Sequence, residues 1–456
     1  MIELFSMNEE TKRYEVDPVR GSILKGMIRF SLPISASTLL TMLFSFADTI
    51  VIGRFGHANA ISAIGVSASI LNLLVGGLTE LSSGVTVTAG RYYGENRPEK
   101  VSRLLHSLPL SALLPGSLIS IAAILSSRMI LRFLNCPDKI LADAVLYFRI
   151  YFLGVPLTVM STFLASVLQA RGNSFIPFFF QISAAVLNIL LNLFFVIVFD
   201  WNVAGVGAAT VISQVVLAVM FLVFLCGRED ELKLDLKKLT LFSGMKQVFS
   251  IGIPASMEGI ILNLSGVIIA SAVNRFDTPV IAGNTIATTI EGLMVLTFVG
   301  FASASTVYIS QNYGAKEKER VRNIFLITIS TVFLAAEAVG VLLYLFADPL
   351  ASLFTSERAI VECAKSRMFY MCLFFGFCGT MNVVSGCERG LGDAKTPLYI
   401  SLFCSVAFRL TWILTYARAA GTVESIYISF PICWILCTVL NVIAFRRIYR
   451  ITMKEL

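Results

Sequence analysis

The chain has 456 residues, of which 56% are hydrophobic and only 14% are charged. Soluble domains carry about 25% charged residues, and one soluble core could not bury so much apolar surface, so an ordinary soluble protein is excluded. The net charge of +7 does not indicate nucleic-acid binding, because the Lys and Arg residues form short clusters between apolar runs, as topology signals do.

The apolar runs predict an all-α polytopic membrane protein. A helix needs about 20 mainly apolar residues to cross roughly 30 Å of hydrocarbon, and about twelve segments of the chain meet this requirement. In chain order, the predicted spans are residues 27–53, 60–89, 105–133, 142–170, 175–199, 203–227, 248–274, 281–311, 323–347, 366–388, 397–417 and 424–445.

The charged residues outside these spans predict the orientation. Lys and Arg are concentrated in the segments that are cytoplasmic if both termini lie inside, so we expect a multi-pass protein of the inner (plasma) membrane. The first apolar run is long enough to stay as a span, so the residues before it are expected to form a tail rather than a cleavable signal peptide. The expected domains are a cytoplasmic N-terminal tail (1–26), an N-lobe of six spans (27–227), a cytoplasmic linker (228–247), a C-lobe of six spans (248–445) and a cytoplasmic C-terminal tail (446–456).

Three short motifs recur in the same order, each about 220 residues later, which indicates a duplication. The pairs are RFSLPIS (29–35) with VFSIGIPAS (248–256), YYGENRPEKV (92–101) with NYGAKEKERV (312–321), and RGNSFIP (171–177) with LGDAKTP (391–397). Each copy holds an even number of spans, so the copies are expected to be parallel repeats about an axis along the membrane normal.

Polar residues inside the first-half spans mark a candidate ion-coupling site. Asp48 lies in the outer half of the first span, and Asn188 and Asn192 lie on one face of the fifth span at a similar depth. A carboxylate with two amides could hold a proton or a sodium ion, and no other metal site is predicted. Alternatively, Asp48 could cap a helix end or meet interfacial water, and the asparagines could merely bridge helices.

A second group of charged residues lies in the second half. Glu258, Glu291 and Arg409 each fall about ten to twelve residues from a span end, which puts all three near the middle of the bilayer. We expect a charged site there, unless the three form only a structural ion pair around Arg409. Pro33, near the start of the first span, is a candidate hinge because a mid-helix proline removes a hydrogen bond; a plain kink is the alternative.

Several catalytic patterns are missing. The sequence has no GxxxxGK[ST] phosphate loop, no HExxH and no potassium-channel filter. We therefore expect neither an enzyme nor a channel, and no cofactor.

The whole chain resembles the multidrug and toxic compound extrusion (MATE) family. The resemblance rests on four strings in the family's order: LPISASTLLTMLFSFADTIVIGRFG (32–56), AGNTIATTIEG (282–292), SQNYGAKEKERV (310–321) and GCERGLGDAKTP (386–397).

This resemblance implies two six-helix lobes that act as a single chain and export organic cations against proton or sodium entry. It assigns ion coupling to Asp48 with Asn188 and Asn192, although many relatives have an aspartate at the position of Asn192. Glu258 matches an acid that some relatives use in the second lobe, and the span-ten acid of those relatives is absent here, with Cys378 nearby. Bending near Pro33 has been proposed for the family.

Three other functions remain as alternatives. A lipid-linked oligosaccharide or polysaccharide flippase of the same superfamily would need a strongly cationic cavity, whereas Arg409 is nearly alone within the predicted spans. A membrane-embedded enzyme is disfavoured by the missing catalytic patterns, and a passive structural or receptor protein by the intramembrane acids. The expected partners are small organic cations, a proton or sodium ion and membrane lipid, and no nucleic acid.

Overall fold

The computed structural model describes residues 14–57, 60–133 and 136–454, and these residues contain helices and turns but no strand. The prediction of an all-α protein is confirmed. The helices are α1 (Ile23–Phe55), α2 (Ala60–Glu80), α3 (Ser82–Gly94), α4 (Pro98–Phe133), α5 (Asp138–Arg171), α6 (Phe175–Val198), α7 (Asn202–Cys226), α8 (Met245–Val273), α9 (Thr278–Met294), α10 (Val299–Gly314), α11 (Lys318–Leu345), α12 (Ala347–Ser352), α13 (Arg358–Cys372), α14 (Phe375–Gly390), α15 (Lys395–Ala420) and α16 (Val423–Thr452).

Every predicted span coincides with helix. Within the described residues, ten segments are long and apolar enough to cross a membrane, or eleven if α13 and α14, bent by 47° at their junction, count as one span. The remaining predicted span, 60–89, is helical as α2 and α3, which meet at Leu81. The tenth predicted span began at residue 366, but α13 begins at Arg358, because charged residues in its first turns lower the hydropathy without breaking the helix.

Small residues let the helices approach closely, as is common where lipid supplies no hydrophobic force between them. A Cβ atom at Gly116 of α4 would lie 2.9 Å from the Pro156 Cα of α5, and one at Gly340 of α11 would lie 2.0 Å from the Cys372 carbonyl oxygen of α13. Only glycine fits at these two crossings.

Helices α6 and α15 contain π-helical turns. Helix α6 ends in one at Phe194–Val198. Helix α15 contains two, Leu402–Phe408 and Ile413–Ala417, on either side of Arg409. Such turns are often found at functional positions of membrane and soluble helices, so they draw attention to Arg409.

The chain divides into two compact units. Unit 1 comprises residues 1–16 and 36–252, and unit 2 comprises residues 17–35 and 253–456. Helix α1 passes from unit 2 to unit 1 two residues after Pro33, and α8 passes from unit 1 to unit 2 immediately before Pro254. Residues 27–35, which were predicted to belong to the N-lobe, therefore cluster with the second half of the chain.

In unit 1, ion pairs connect Arg171, at the end of α5, with Glu15 and with the predicted linker. Arg171 lies 3.2 Å from Glu15 and also binds Asp230, which accepts two further hydrogen bonds from Arg228. Burial raises the pKa of Glu15 despite Arg171. Burial alone would also raise the pKa of Asp230, but the hydrogen bonds from Arg228 and Arg171 hold it well below its usual value.

In unit 2, the backbone of residues 17–21 is held by hydrogen bonds to the side chains of Arg320, Asn312 and Asp17. Arg320 donates hydrogen bonds to the carbonyl oxygens of Pro18, at 3.2 Å, and of Gly21. Asn312 donates to the same Pro18 oxygen at 3.0 Å.

Candidate functional site

The predicted first-half residues meet in unit 1. The Asn192 side-chain amide donates a hydrogen bond to the Asp48 carboxylate and another, of 3.2 Å, to the Asn188 carbonyl oxygen. The Asn188 amide lies 3.4 Å from the Thr210 hydroxyl. Helices α1, α6 and α7 therefore build one cluster, which we call the Asp48 cluster: Asp48, Asn188, Asn192 and Thr210. Sequence reasoning missed Thr210; the available signal was a hydroxyl within the mainly apolar helix α7.

The Asn188 amide of the Asp48 cluster fits in either of two orientations. With the Asn188 amide reversed, its nitrogen donates to the Asp48 carboxylate at 3.2 Å and its oxygen accepts from the Thr210 N–H at 3.2 Å. In the described part of the chain, the Asn192 side-chain oxygen is buried without a hydrogen-bond partner. The two amides can therefore act as donors to a carboxylate or present oxygens to a cation.

The Asp48 cluster contains a negative charge without a counter-cation. Asn192 is fully buried and Asn188 is 8% exposed, whereas Asp48 is partly exposed. Among the described residues, no Lys or Arg contributes to the electrostatics of Asp48, and Tyr147 and Tyr151 are neighbours that it influences. An unpaired carboxylate in a low-dielectric setting is stabilised by taking up a proton or a cation.

Helix α1 presents Asp48 on a polar side. Thr41, Ser45 and Thr49 are exposed, and each hydroxyl donates to the backbone carbonyl four residues earlier. At about 100° per residue, these hydroxyls and Asp48 share one side of α1. The exposed apolar side chains of α1 in this region lie on the opposite side: Leu43, Phe46 and Ile50. This division indicates that the Asp48 side of α1 faces water rather than lipid.

The second-half residues separate into two places in unit 2. Glu291 forms an ion pair with Arg367, with 2.9 Å between the carboxylate oxygen and the guanidinium nitrogen. Arg409 donates to the Ser265 hydroxyl and is close enough to Glu291 to act on it electrostatically. Glu291 and Arg409 thus lie in one neighbourhood, in which Arg367 is an additional member. Arg367 was not among the site residues predicted from the sequence.

Glu258 has different partners. Its Oε1 atom accepts hydrogen bonds from Ser385 at 3.0 Å and Ser401 at 3.2 Å, and its Oε2 atom lies 3.7 Å from Arg389. Ser265, the partner of Arg409, lies seven residues farther along α8, which is about 10 Å. The expectation that Glu258 shares one site with Glu291 and Arg409 is therefore corrected. Counting residues from span ends gives approximate height but not the direction in which a side chain points.

Comparisons with known proteins agree with this fold. The MatE family model matches residues 33–194 and 254–412, which together make up more than half of the chain. The "Probable multidrug resistance protein YpnP" of Bacillus subtilis (strain 168) is 25% identical over 406 residues, 89% of each chain. The "Multidrug export protein MepA" of Staphylococcus saprophyticus is 23% identical over 346 residues, 76% of each chain.

A solved structure described as "Outward-facing conformation of a multidrug resistance MATE family transporter of the MOP superfamily" is similar to this chain with a TM-score of 0.88. It is 20% identical in sequence, and the match covers 98% of this chain and 99% of that one. The predicted fold of two lobes and about twelve helices is confirmed by this likeness. The chain belongs to the MatE family and is a multi-pass membrane transporter rather than an enzyme.

Proposed function

We propose that this transporter is a secondary active exporter of organic cations, driven by proton antiport through Asp48. The observation that carries the proposal is the Asp48 cluster, in which a partly exposed carboxylate is hydrogen-bonded by an amide and has no counter-cation among the described residues. The names of the relatives, a multidrug resistance protein and a multidrug export protein, support export of varied compounds.

Two protonation states of Asp48 would give the transport cycle its two affinities. The ionised carboxylate accepts the Asn192 hydrogen bond and attracts a cationic compound that reaches the polar side of α1. A proton entering from outside neutralises Asp48, removes that attraction and favours release. The proton drives transport because the two states differ in their free energy of interaction with the cation.

A proton fits this cluster better than sodium. A sodium site would depend on several oxygen ligands around a cation, and Asp48 is the single anionic group in the Asp48 cluster. In the part of the chain that the structure describes, no group of three or more His, Cys, Asp or Glu side chains could hold a metal ion. Sodium coupling is the alternative that the experiment below separates.

The test uses everted membrane vesicles from an efflux-deficient host and follows ethidium uptake. We expect uptake that collapses with a proton uncoupler, persists without sodium and disappears in Asp48→Asn. The matched control is Asp277→Asn, because Asp277 is an exposed aspartate that precedes α9 and makes no capping hydrogen bond through its side chain. Normal uptake by Asp48→Asn would refute proton coupling through Asp48, and uptake that requires sodium would replace the proton with sodium. Absence of ethidium uptake by the wild type would favour the flippase alternative.

We also propose that Pro33 lets α1 bend, since it lies inside the helix two residues before α1 passes between the units. Pro33 offers no backbone N–H to the helix, which weakens the ladder at that point. Pro33→Ala should slow export while leaving ethidium affinity unchanged in detergent. A variant with an unchanged export rate would remove the hinge role.

The proposed orientation has both termini and the linker 228–247 in the cytoplasm, with the protein acting as a monomer in the inner membrane. Green fluorescent protein and alkaline phosphatase fused to the C-terminus report the two sides. A fluorescent and phosphatase-negative pair of fusions supports the proposal, and the reverse pattern contradicts it.

A further inference from the structure

In unit 2, two buried arginines, Arg367 and Arg409, lie with one acid, Glu291, and one amide, Asn284. We call these four residues the arginine cluster. Arg367 and Arg409 are each 4% exposed, and Glu291 is the acid between them. The other acids nearby have their own partners: Glu337 accepts the Gly376 N–H at 2.8 Å, and Glu258 lies with Arg389. Arg367 thus has a carboxylate at hydrogen-bond distance, whereas Arg409 has none among the described residues.

The contacts show which arginine has capacity for a ligand. Arg367 binds the Glu291 carboxylate at 2.9 Å, the Asn284 side-chain oxygen, the Asn284 carbonyl at 3.4 Å and the Met371 sulfur at 3.2 Å. Arg409 donates through Nη1 to the Ser265 hydroxyl and lies beside the thiol of Cys433, a weak acceptor. Its Nε–H is buried without a hydrogen-bond partner in the described part of the chain. A buried guanidinium with unused donors is costly unless an acceptor completes it.

The surroundings of Arg409 orient its guanidinium group. The Phe430 ring lies 4.7 Å from the Arg409 guanidinium carbon and 5.4 Å from that of Arg367. The π-helical turns on both sides of Arg409 interrupt the regular α-helix ladder at this position. A planar guanidinium held against an aromatic ring is well suited to bind a carboxylate through two parallel hydrogen bonds.

The arginine cluster reaches the surface of unit 2 along α9. Asn284, Thr288 and Glu291 lie on one side of this helix by their spacing. Thr288 is exposed, whereas Asn284 and Glu291 are partly exposed. A side of a spanning helix that presents hydroxyl, amide and carboxylate groups indicates access from water, because lipid would not solvate them.

We propose that Arg409 binds the carboxylate of transported compounds, so that zwitterionic organic molecules are preferred over simple cations. Glu291 is hydrogen-bonded to Arg367, which leaves the Nε–H of Arg409 for the ligand. This inference rests on the proposed export function and names the substrate class that unit 2 selects.

The test measures binding to the purified full chain in detergent by fluorescence polarisation, without any ion gradient. The probes are rhodamine 110, which has a free carboxylate, and its methyl ester rhodamine 123, which does not. Wild type should bind rhodamine 110 about tenfold or more tightly than the ester, since a charge-assisted bidentate bond is lost in the ester. This comparison needs no variant, and equal affinities would overturn the proposal.

Variants then locate the discrimination. Arg409→Gln should weaken rhodamine 110 binding about tenfold or more and the ester less than about threefold, and Arg409→Lys should fall between because it keeps the charge but not the fork. Arg418→Gln is the matched control, since Arg418 is exposed at the end of the same helix. If Arg409→Gln is not monodisperse, Arg409→Lys decides: loss of the preference for the carboxylate supports the proposal, and an unchanged preference contradicts it.

Competition by small anions tests whether the site recognises a carboxylate or any anion. Acetate should compete with rhodamine 110 more strongly than chloride at equal ionic strength, whereas equal competition would mean an inorganic-anion site and overturn carboxylate recognition. Failure of the proposed export function is distinguishable, because it would abolish gradient-driven ethidium uptake while leaving the two affinities different. Intact uptake with equal affinities would refute this inference alone.

Discussion

The two units surround an acid within a predicted span with different partners. In unit 1, Asp48 is hydrogen-bonded to Asn192 and has no counter-cation among the described residues. In unit 2, Glu291 is paired with Arg367 and lies near Arg409. An acid without a counter-cation gains most from a proton, whereas an acid beside two guanidiniums gains little. The comparison supports the proposals of proton exchange in unit 1 and of carboxylate recognition in unit 2.

The two units differ in the partners of their acids although the two halves of the sequence share repeated motifs. Counting from Pro33 to its repeat partner Pro254, the counterpart of Asp48 is Ile269, which is 2% exposed. Counting from the RGNSFIP repeat, the counterpart of Asn188 is Phe408. The repeats thus share prolines and turn motifs, which set the helices, but not the polar side chains that chemistry requires.

The largest effect should come from neutralising one acid in each unit. Asp48→Asn should reduce proton-driven ethidium export about 100-fold or more, because the variant cannot exchange a proton. Glu291→Gln should retain export in vesicles after correction for the amount of folded protein. Equal loss in both variants would contradict the division of roles between the units.

The free energy of unfolding should change in the reverse order, with a larger loss in Glu291→Gln than in Asp48→Asn. Glu291→Gln leaves Arg367 buried without its carboxylate, which should cost about 3–5 kcal/mol of unfolding free energy. Asp48→Asn should cost less than about 1 kcal/mol, since the amide still accepts the Asn192 hydrogen bond. Denaturation in detergent measures both, and adding Arg367→Met to Glu291→Gln should restore part of the loss. A Glu291→Gln variant as stable as wild type would mean that the ion pair is not buried.

A second acid in unit 1 should sharpen the contrast between proton and sodium. Asn192→Asp places another carboxylate beside Asp48, which gives a cation two anionic ligands in place of one. Sodium should then stimulate export by the variant several-fold, which corresponds to roughly one kcal/mol in its affinity for sodium. The export rate of the wild type should not depend on sodium. The measurement is ethidium uptake in vesicles with sodium or choline salts. Sodium-stimulated export by the wild type would contradict the proton assignment.

The smallest effect concerns the segments outside the spans. The pKa of Asp230 is held below its usual value, so its contribution to stability is complete above about pH 4 and declines as the pH falls below it. Glu15 acts in the opposite direction and at higher pH, because burial raises its pKa. Hydrogen exchange of residues 228–234, corrected for intrinsic rates, should therefore increase at pH 3.

The matched segment in unit 2 is residues 315–317, whose amides donate to backbone carbonyl oxygens and not to a carboxylate, so it should keep its protection at pH 3. At pH 7, Asp230→Asn should reproduce the loosening of residues 228–234, with a loss of about 1–3 kcal/mol of local stability. Equal acid sensitivity of both segments would show that Asp230 is not the cause.

The candidate site was partly predictable. Asp48, Asn188 and Asn192 were found because polar residues are rare in apolar spans and an i, i+4 pair shares a helix face. Thr210 was missed because a threonine hydroxyl can donate to the backbone carbonyl four residues earlier, as it does to Val206, and so need not mark a polar site. Arg367 was missed because an arginine in a polar stretch looks like a loop residue. Glu258 was placed with Glu291, because residue counting supplies depth and not direction.

The sequence by itself determined that the chain lies in lipid, where its helices lie and that its two halves are repeats. A backbone in hydrocarbon must form all of its own hydrogen bonds, and spanning helices therefore require long apolar runs. It also singled out most of the polar side chains that lipid rejects. Only the tertiary structure decided which of them meet, since pairing depends on how each helix is rotated about its axis and on which neighbour it faces. That rotation leaves Asp48 with amides alone and gives Glu291 two arginines.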